Sequence, residues 1–505
     1  MNLPTCKAKL IDLMAGHRVI VLNPRDAEIF SIRAHDRIKA RHNDMSVIAE
    51  IELSKTLVST GEAGIPRDLI DHFRIQSGDE IELEPVPPPS SLSHIRRKIG
   101  GQRLKREEIY GIVQDVVEGR LSELEMAGFL LAEEFHGMEE QELLALTQAI
   151  AETGSTIDFG RPVCDKHSVG GIPGNKVSLL IVPIIAAAGL LIPKTSSRAI
   201  TSPSGTADTM SVLSNVEFEA EELREMVLRT NGAIIWGGSL SLAPADDIFI
   251  NIEHPLQIDP EPQMIASILA KKLAVGAQFL VLDIPVGKEA KIESFEQGRR
   301  VGNRIIEIGE KLGVRVKCGI TYGGQPVGYS VGPCLEAREA LEALEGAGPQ
   351  SLVEKSVSIA GMLLELSGKV VRGAGQTLAN EILTSGKALE KMRQIIETQG
   401  GDPKVTSKDL KPGPYTAGLD APADGYVTHV SNRAINQIAR TAGAPAERGA
   451  GILFFKKEGH KVKKGERIFE IYSERESKLT AAHDLALKLQ PIRIEGMLLE
   501  EIPEY

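Results

Sequence analysis

Two short polar stretches flank the longest apolar run of the chain, and both have the composition of an anion cradle. The first, residues 166–176, reads Lys166-His167-Ser168-Val169-Gly170-Gly171-Ile172-Pro173-Gly174-Asn175-Lys176. The second, residues 195–208, carries Ser196, Ser197, Arg198, Thr201, Ser202, Ser204, Gly205, Thr206 and Asp208. Glycine lets backbone N–H groups approach an anion closely, and Ser, Thr and Lys add side-chain donors. The apolar run, residues 177–191, follows the first stretch directly. If it starts as a helix, its N-terminus favours negative charge at that stretch. The reading is two anion-binding loops closing on one site. Gly/Ser-rich turns joining core elements are the plainer alternative; cations and hydroxyls together in both loops weigh against it. Neither loop carries a P-loop pattern or a dinucleotide-type Gly-x-Gly-x-x-Gly.

The residues Lys166-His167-Ser168-x-Gly170-Gly171, and Ser196-x-Arg198-x-Ile200 followed by Thr206-x-Asp208, resemble the signature of the thymidine/pyrimidine-nucleoside phosphorylase family. The resemblance continues through Leu242-Ala243-Pro244-Ala245-Asp246, residues 266–272, the segment from Gln325-Pro326 to Glu336, and Gln399-Gly400-Gly401-Asp402. Within the family the chain is most similar to the archaeal AMP phosphorylases, which share the loop Ser-Ser-Arg-Ala-Ile-Thr-Ser and an added N-terminal domain. The resemblance implies a small helical domain and an α/β domain facing each other across a cleft. It implies phosphorolysis of an N-glycosidic bond, with phosphate attacking C1′ of a ribose as the base departs. Such glycosyl transfers pass through an oxocarbenium-like transition state.

The roles the resemblance implies fall into three groups. Lys166, Ser168, Gly170, Ser178, Ser196 and Thr206 would hold the attacking phosphate. Gly171, Ser197, Arg198, Ala199, Ile200, Thr201, Ser202, Thr206 and Lys291 would contact AMP. Ser267 and Lys271 would contact the base, and Asp259 would be the proton donor. Pro173 lengthens the first loop by one residue relative to common pyrimidine members. Pyrimidine enzymes place an Arg about ten residues after the Leu-Ala-Pro-Ala-Asp motif; here Glu253 stands near that position. An ionised carboxylate cannot donate to a pyrimidine carbonyl. A carboxylic acid beside adenine N7 suits departure of a purine. Asp259 can equally be read as the cap of a helix starting near Pro260. The charge state of His167 stays open, and Lys291 alone reads as one cation of a solvated charge run.

The expected function is therefore a glycosyltransferase that splits AMP into free base and ribose 1,5-bisphosphate. Inorganic phosphate is the co-substrate, and no metal or other cofactor is expected. A pyrimidine-nucleoside phosphorylase is the alternative. Phosphoribosyl transfer and a non-catalytic scaffold are more distant readings.

Composition sets the outer bounds. With 69 acidic against 58 basic residues and a formal charge of −11, the chain does not suit a nucleic-acid polyanion. Aromatics make up 4%, too few for a base-stacking surface. Cys6, Cys164, Cys318 and Cys334 form no Cys-x-x-Cys pair and read as free thiols of a cytoplasmic protein. No secretory pattern opens the chain, and residues 177–191 are too short to span a bilayer. A homodimer or higher homo-oligomer is the expected assembly.

The elements that position these residues read as an α/β core with a separate small helical domain. A C-terminal α+β lipoyl-like (barrel-sandwich) domain and an extra β-rich N-terminal domain complete the expectation. Residues 1–84 hold short Val/Ile/Leu segments between turns, a β-rich assembly domain. Residues 85–92 are a Pro-rich linker. Residues 93–160 are helical, with Ser122 and Glu125 spaced as a capping box. A later helix near residues 262–272 completes that domain. Residues 161–410 alternate strands and helices, one of them across residues 378–398, and hold the phosphate site. Residues 411–505 hold the lipoyl-like turn Lys463-Lys464-Gly465. A helix-like segment at residues 432–442 stands where a carrier lysine would be, so this domain reads as structural.

Overall fold

The computed structural model describes residues 3–16, 18–199 and 202–498. The chain divides into two compact units: residues 1–153 with 244–267, and residues 154–243 with 268–505.

The first unit opens with six strands closed into a barrel. The strand Thr5–Ile11 closes it, pairing parallel to Glu62–Pro66 and antiparallel to Glu80–Pro85. Alternating side chains point inward, among them Cys6, Ala8, Ile38, Ala40, Ile81 and Leu83. Closure leaves no unpaired sheet edge to attract other strands. Four helices follow: Ser91–Ile99, Arg106–Val117, Glu123–His136 and Glu140–Glu152. Ser122 caps the third: its hydroxyl accepts from Glu125 N while Glu125 Oε2 accepts from Ser122 N at 2.8 Å. Arg37 of the barrel pairs with Glu125. The helix Pro244–Leu256 packs on Arg106–Val117 and Glu123–His136. Thus residues 244–267 join the helical part, whereas a reading by sequence order leaves residues 244–261 in the α/β part. The apolar face of Pro244–Leu256, with Phe249 and Ile252, is buried there, and Phe249 meets Phe129.

The second unit is built on parallel strands. Arg315–Tyr322, Ala277–Val286 and Val163–Ser168 pair in that order. Ile192–Ser196 pairs with Gly232–Trp236. A bridge from Val163 to Leu191 links the two sets. Val163–Ser168 is therefore the point where the chain changes direction across the sheet. Open α/β sheets bind ligands at the carboxyl ends of strands at such a switch. The apolar run becomes the helix Ser178–Ala187, buried along its whole length up to Ala186. A helix apolar on all sides belongs in a core. The residues expected as one helix over 378–398 form two, Gly375–Thr384 and Lys387–Thr398. Gly386, at φ +81°, separates them in a backbone state that costs glycine little.

Residues 415–495 add two antiparallel sheets and the helices Asn432–Thr441 and Glu476–Leu489 around a second core. One strand of that core, Ser330–Val331, comes from the α/β region and pairs with Gly451–Phe454. All four cysteines are free thiols. No helix among the described residues is long and apolar enough to cross a membrane.

Candidate active site

The first anion loop begins on the switch strand Val163–Ser168. Lys166 donates to Ser168 Oγ, and its ammonium lies 3.4 Å from Ser178 Oγ at the start of the buried helix. Three residues separated by up to twelve positions thus converge. The neighbouring strand supplies Asp283, whose Oδ2 accepts from Ser168 Oγ at 2.6 Å. Thr321 Oγ1 donates to the other oxygen, and Lys355 stands 3.2 Å away. Burial pushes the Asp283 carboxyl up; Lys355, Lys166 and the two hydroxyls outweigh it and hold the group low. Burial pushes Lys166 down to about 8, with Lys355 and Lys272 adding to the fall and Asp283 and Asp165 opposing it. At neutral pH most of Lys166 still carries charge.

Behind this cluster Asp165 is fully buried. It accepts from Lys272 at 2.6 Å and lies 4.0 Å from Lys194. Burial, then Lys272, Lys194, Lys166 and Lys271, keep the His167 ring well below its usual pKa. That direction favours the neutral ring. An acidic chain has focused its cations at one strand end, the arrangement that draws an anion.

Not every cation of the first loop joins this cluster. Lys176 is fully buried, pairs with Glu339 and donates to Val327 O at 2.9 Å. It fastens the loop rather than lining a site. Gly174, at φ +73°, packs with carbonyls of Val327 and Ser330 under 3 Å from where a Cβ would stand. Gly170, at φ +83°, lies against Lys291: a Cβ there would meet Lys291 Cβ at 2.9 Å. Lys291 is thus part of the loop region, not a distant member of a charge run. Gly171 is exposed.

The second loop is organised around a carboxylate. Asp208 Oδ2 accepts from Ala199 N at 2.7 Å and Gly205 N at 2.9 Å. Arg198 lies 3.5 Å from Asp208, donates to Glu217 at 2.6 Å and stacks on Trp236. Its charge already has partners. Ser196 Oγ donates to Ser197 O, and Ser202 Oγ to Ser204 O, each at 3.2 Å. Thr206 opens the short helix Thr206–Met210. Behind it, Glu336 accepts from Gly332 N at 3.0 Å, and burial pushes its carboxyl up to about 7. Ile200 and Thr201 lie outside the described residues.

The residues expected on the base side sit on or before the helix Glu261–Ala274. Ser267 and Lys271 are four apart and share one helical face. Ser267 Oγ donates to Asp246 at 2.9 Å. Pro260 O accepts the first helical bond, from Met264 N at 2.9 Å. The cap position is therefore Pro260, and the exposed Asp259 precedes it by one residue. Asp259 and Ser267 belong to the first unit, and Lys166, Ser168 and Ser178 to the second. Sequence reasoning missed Asp283 and Lys355. Only the polar Asp283 within an apolar strand, residues 279–284, was a signal for the first.

Known proteins extend this picture. The family described as "Glycosyl transferase family, a/b domain" matches residues 160–389. Its helical bundle domain matches residues 92–154, and the pyrimidine nucleoside phosphorylase C-terminal domain matches residues 426–493. The AMP phosphorylase of Pyrococcus furiosus is 47% identical over 98% of this chain and 99% of its own. Those of Thermococcus kodakarensis, at 46%, and Methanosarcina barkeri, at 47%, match over 98% of this chain as well, covering 99% and 98% of their own. An anthranilate phosphoribosyltransferase structure from Thermus thermophilus shares the fold, with a TM-score of 0.52 and 21% identity. It covers 60% of this chain and 98% of its own.

Proposed function

This chain belongs to the AMP phosphorylase family, and on that premise we propose that it is a pentosyltransferase that phosphorolyses AMP. The products are free adenine and ribose 1,5-bisphosphate, and related nucleoside 5′-monophosphates react alike. The convergence of Lys166, Ser168 and Ser178 at the sheet's switch point carries the reading. These groups, with Gly170, Ser196 and Thr206, hold phosphate for attack. An oxygen of phosphate bonds to C1′ as the C1′–N9 bond breaks. Asp259 gives its proton to N7 of the leaving base, and Ser267 and Lys271 grip that base. Fixing a nucleophile beside its target replaces a costly bimolecular encounter. The second loop, Gly171 and Lys291 receive ribose and its 5′-phosphate. No metal or other cofactor takes part, the protein works in the cytoplasm, and nucleic acid is no partner. The N-terminal barrel serves assembly into a homo-oligomer, and the C-terminal domain is lipoyl-like in shape but structural in role.

The test is a panel of nucleotides and nucleosides, incubated with and without inorganic phosphate, following free base. Phosphate-dependent adenine release from AMP, with ribose 1,5-bisphosphate as product, is expected. Equal rates on AMP and adenosine would move the protein to the nucleoside phosphorylases. Release that needs no phosphate would end the proposal.

A further inference from the structure

One cation beside the phosphate cluster has no role in the account above. Lys355 sits on the helix Gln350–Leu366, which packs against the strands Ala277–Val286 and Arg315–Tyr322. Its side chain is 10% exposed, and its ammonium has no acceptor in hydrogen-bonding geometry. It stands 3.2 Å from Asp283 Oδ2, the oxygen that also accepts from Ser168. Ser168 in turn accepts from Lys166. Two lysines therefore approach one serine–aspartate pair from two sides. An ammonium carries three N–H donors, and burying them without acceptors is costly. A tetrahedral dianion at Ser168 would supply the missing acceptors.

We propose that Lys355 is a second phosphate-binding cation, and that Asp283 is the counter-charge that holds Lys355 and Lys166 in place before phosphate binds. The proposal rests on the phosphate-dependent reading above. When phosphate arrives, the Lys355 ammonium donates to one of its oxygens while Ser168 and Lys166 hold another. Two ammonium groups match the two charges of hydrogen phosphate, and Asp283 offsets their mutual repulsion until it arrives.

The experiment compares wild type with Lys355→Gln, Lys355→Arg and Asp283→Asn. Three quantities are read: KM for phosphate, KM for AMP, and the rise in Tm produced by inorganic phosphate without nucleotide. Lys355→Gln should raise KM for phosphate about 10–100-fold, the worth of a charge-assisted hydrogen bond, and leave KM for AMP nearly unchanged. Lys355→Arg should recover most of the loss. A pH profile separates this from a structural ion pair. Lys166 faces Asp283, Lys355, Asp165 and Lys272, and titrates near 8. Losing Lys355 removes repulsion, so the alkaline limb of kcat/KM for phosphate moves to higher pH. Losing Asp283 removes attraction, so the limb moves to lower pH. A Lys355→Gln protein with unchanged KM for phosphate and an unshifted limb overturns the proposal, even if its Tm falls. Phosphate that stabilises wild type without any AMP turnover defeats the AMP reading, while loss of that stabilisation in Lys355→Gln still upholds this one. A wild type that phosphate does not stabilise and that releases no adenine from AMP with phosphate overturns both.

Discussion

Each unit of the molecule buries a lysine–glutamate pair, and the two pairs do different work. In the first unit Lys98 donates to Glu142 at 2.7 Å, and Glu142 also accepts from Leu104 N and Glu139 N, each at 2.9 Å. That pair ties the helix Ser91–Ile99 to Glu140–Glu152. In the second unit Lys176 pairs with Glu339, which also accepts from Tyr329 N at 2.8 Å. Lys176 is the last residue of the first anion loop. The same chemistry therefore holds a bundle in one region and a ligand loop in the other. Charge in this loop is divided between the proposed phosphate ligand Lys166 and the fastening Lys176. The proposed acid, Asp259, belongs to one unit, and the proposed phosphate ligands Lys166, Ser168 and Ser178 to the other.

The largest expected effect tests that division. Asp259→Asn keeps the side chain's shape but removes its proton, so turnover should fall by about 10²–10⁴-fold. KM for phosphate should stay put, because its ligands belong to the other unit. A large change in KM for phosphate would show that the two sets of residues do not act separately. Near-normal turnover would remove Asp259 as the acid.

Next come the buried pairs. Lys176→Met and Lys98→Met each leave a glutamate uncompensated, at a cost of roughly 3–5 kcal/mol. Urea unfolding measures this. Only Lys176→Met should also weaken phosphate binding among molecules that remain folded. Equal weakening by Lys98→Met would erase the contrast between the pairs.

A smaller effect sharpens the reading of the second unit. AMP should be preferred over adenosine by at least about 10²-fold if two or three charge-assisted bonds hold the 5′-phosphate. Lys291→Ala should shrink that ratio by about tenfold, weakening AMP and sparing adenosine. Parallel kcat/KM measurements decide it; equal losses on both substrates would make Lys291 a packing residue for Gly170. The smallest effect on turnover is expected from removing residues 1–84. Light scattering should then show a smaller oligomer that retains activity. A mass that drops only by the deleted segments would leave the barrel without an assembly role.

Much of this organisation is legible in the residues. The apolar runs at 233–236 and 279–284 read as strands and fall within Gly232–Trp236 and Ala277–Val286, and the Ser122–Glu125 spacing forms the cap it suggests. These signals are local, acting within a few residues. Other features were not legible. Gly386 interrupts what reads as one helix, because a single glycine also occurs inside helices. By sequence Lys176 is simply a second cation of the loop that holds Lys166, and the difference between them lies in what each meets.

The sequence by itself determined which residue types gather: a Gly-rich loop with Lys166 and Ser168, an apolar run behind it, and an acidic chain otherwise. The tertiary structure decided which of those charges are spent. Lys176 meets a glutamate 163 residues away, and Ser168 meets an aspartate 115 residues away. Burial removes water as a partner, so a charge's role depends on the groups folding brings beside it. Those groups come from distant segments of the chain, and no spacing along it encodes their arrival.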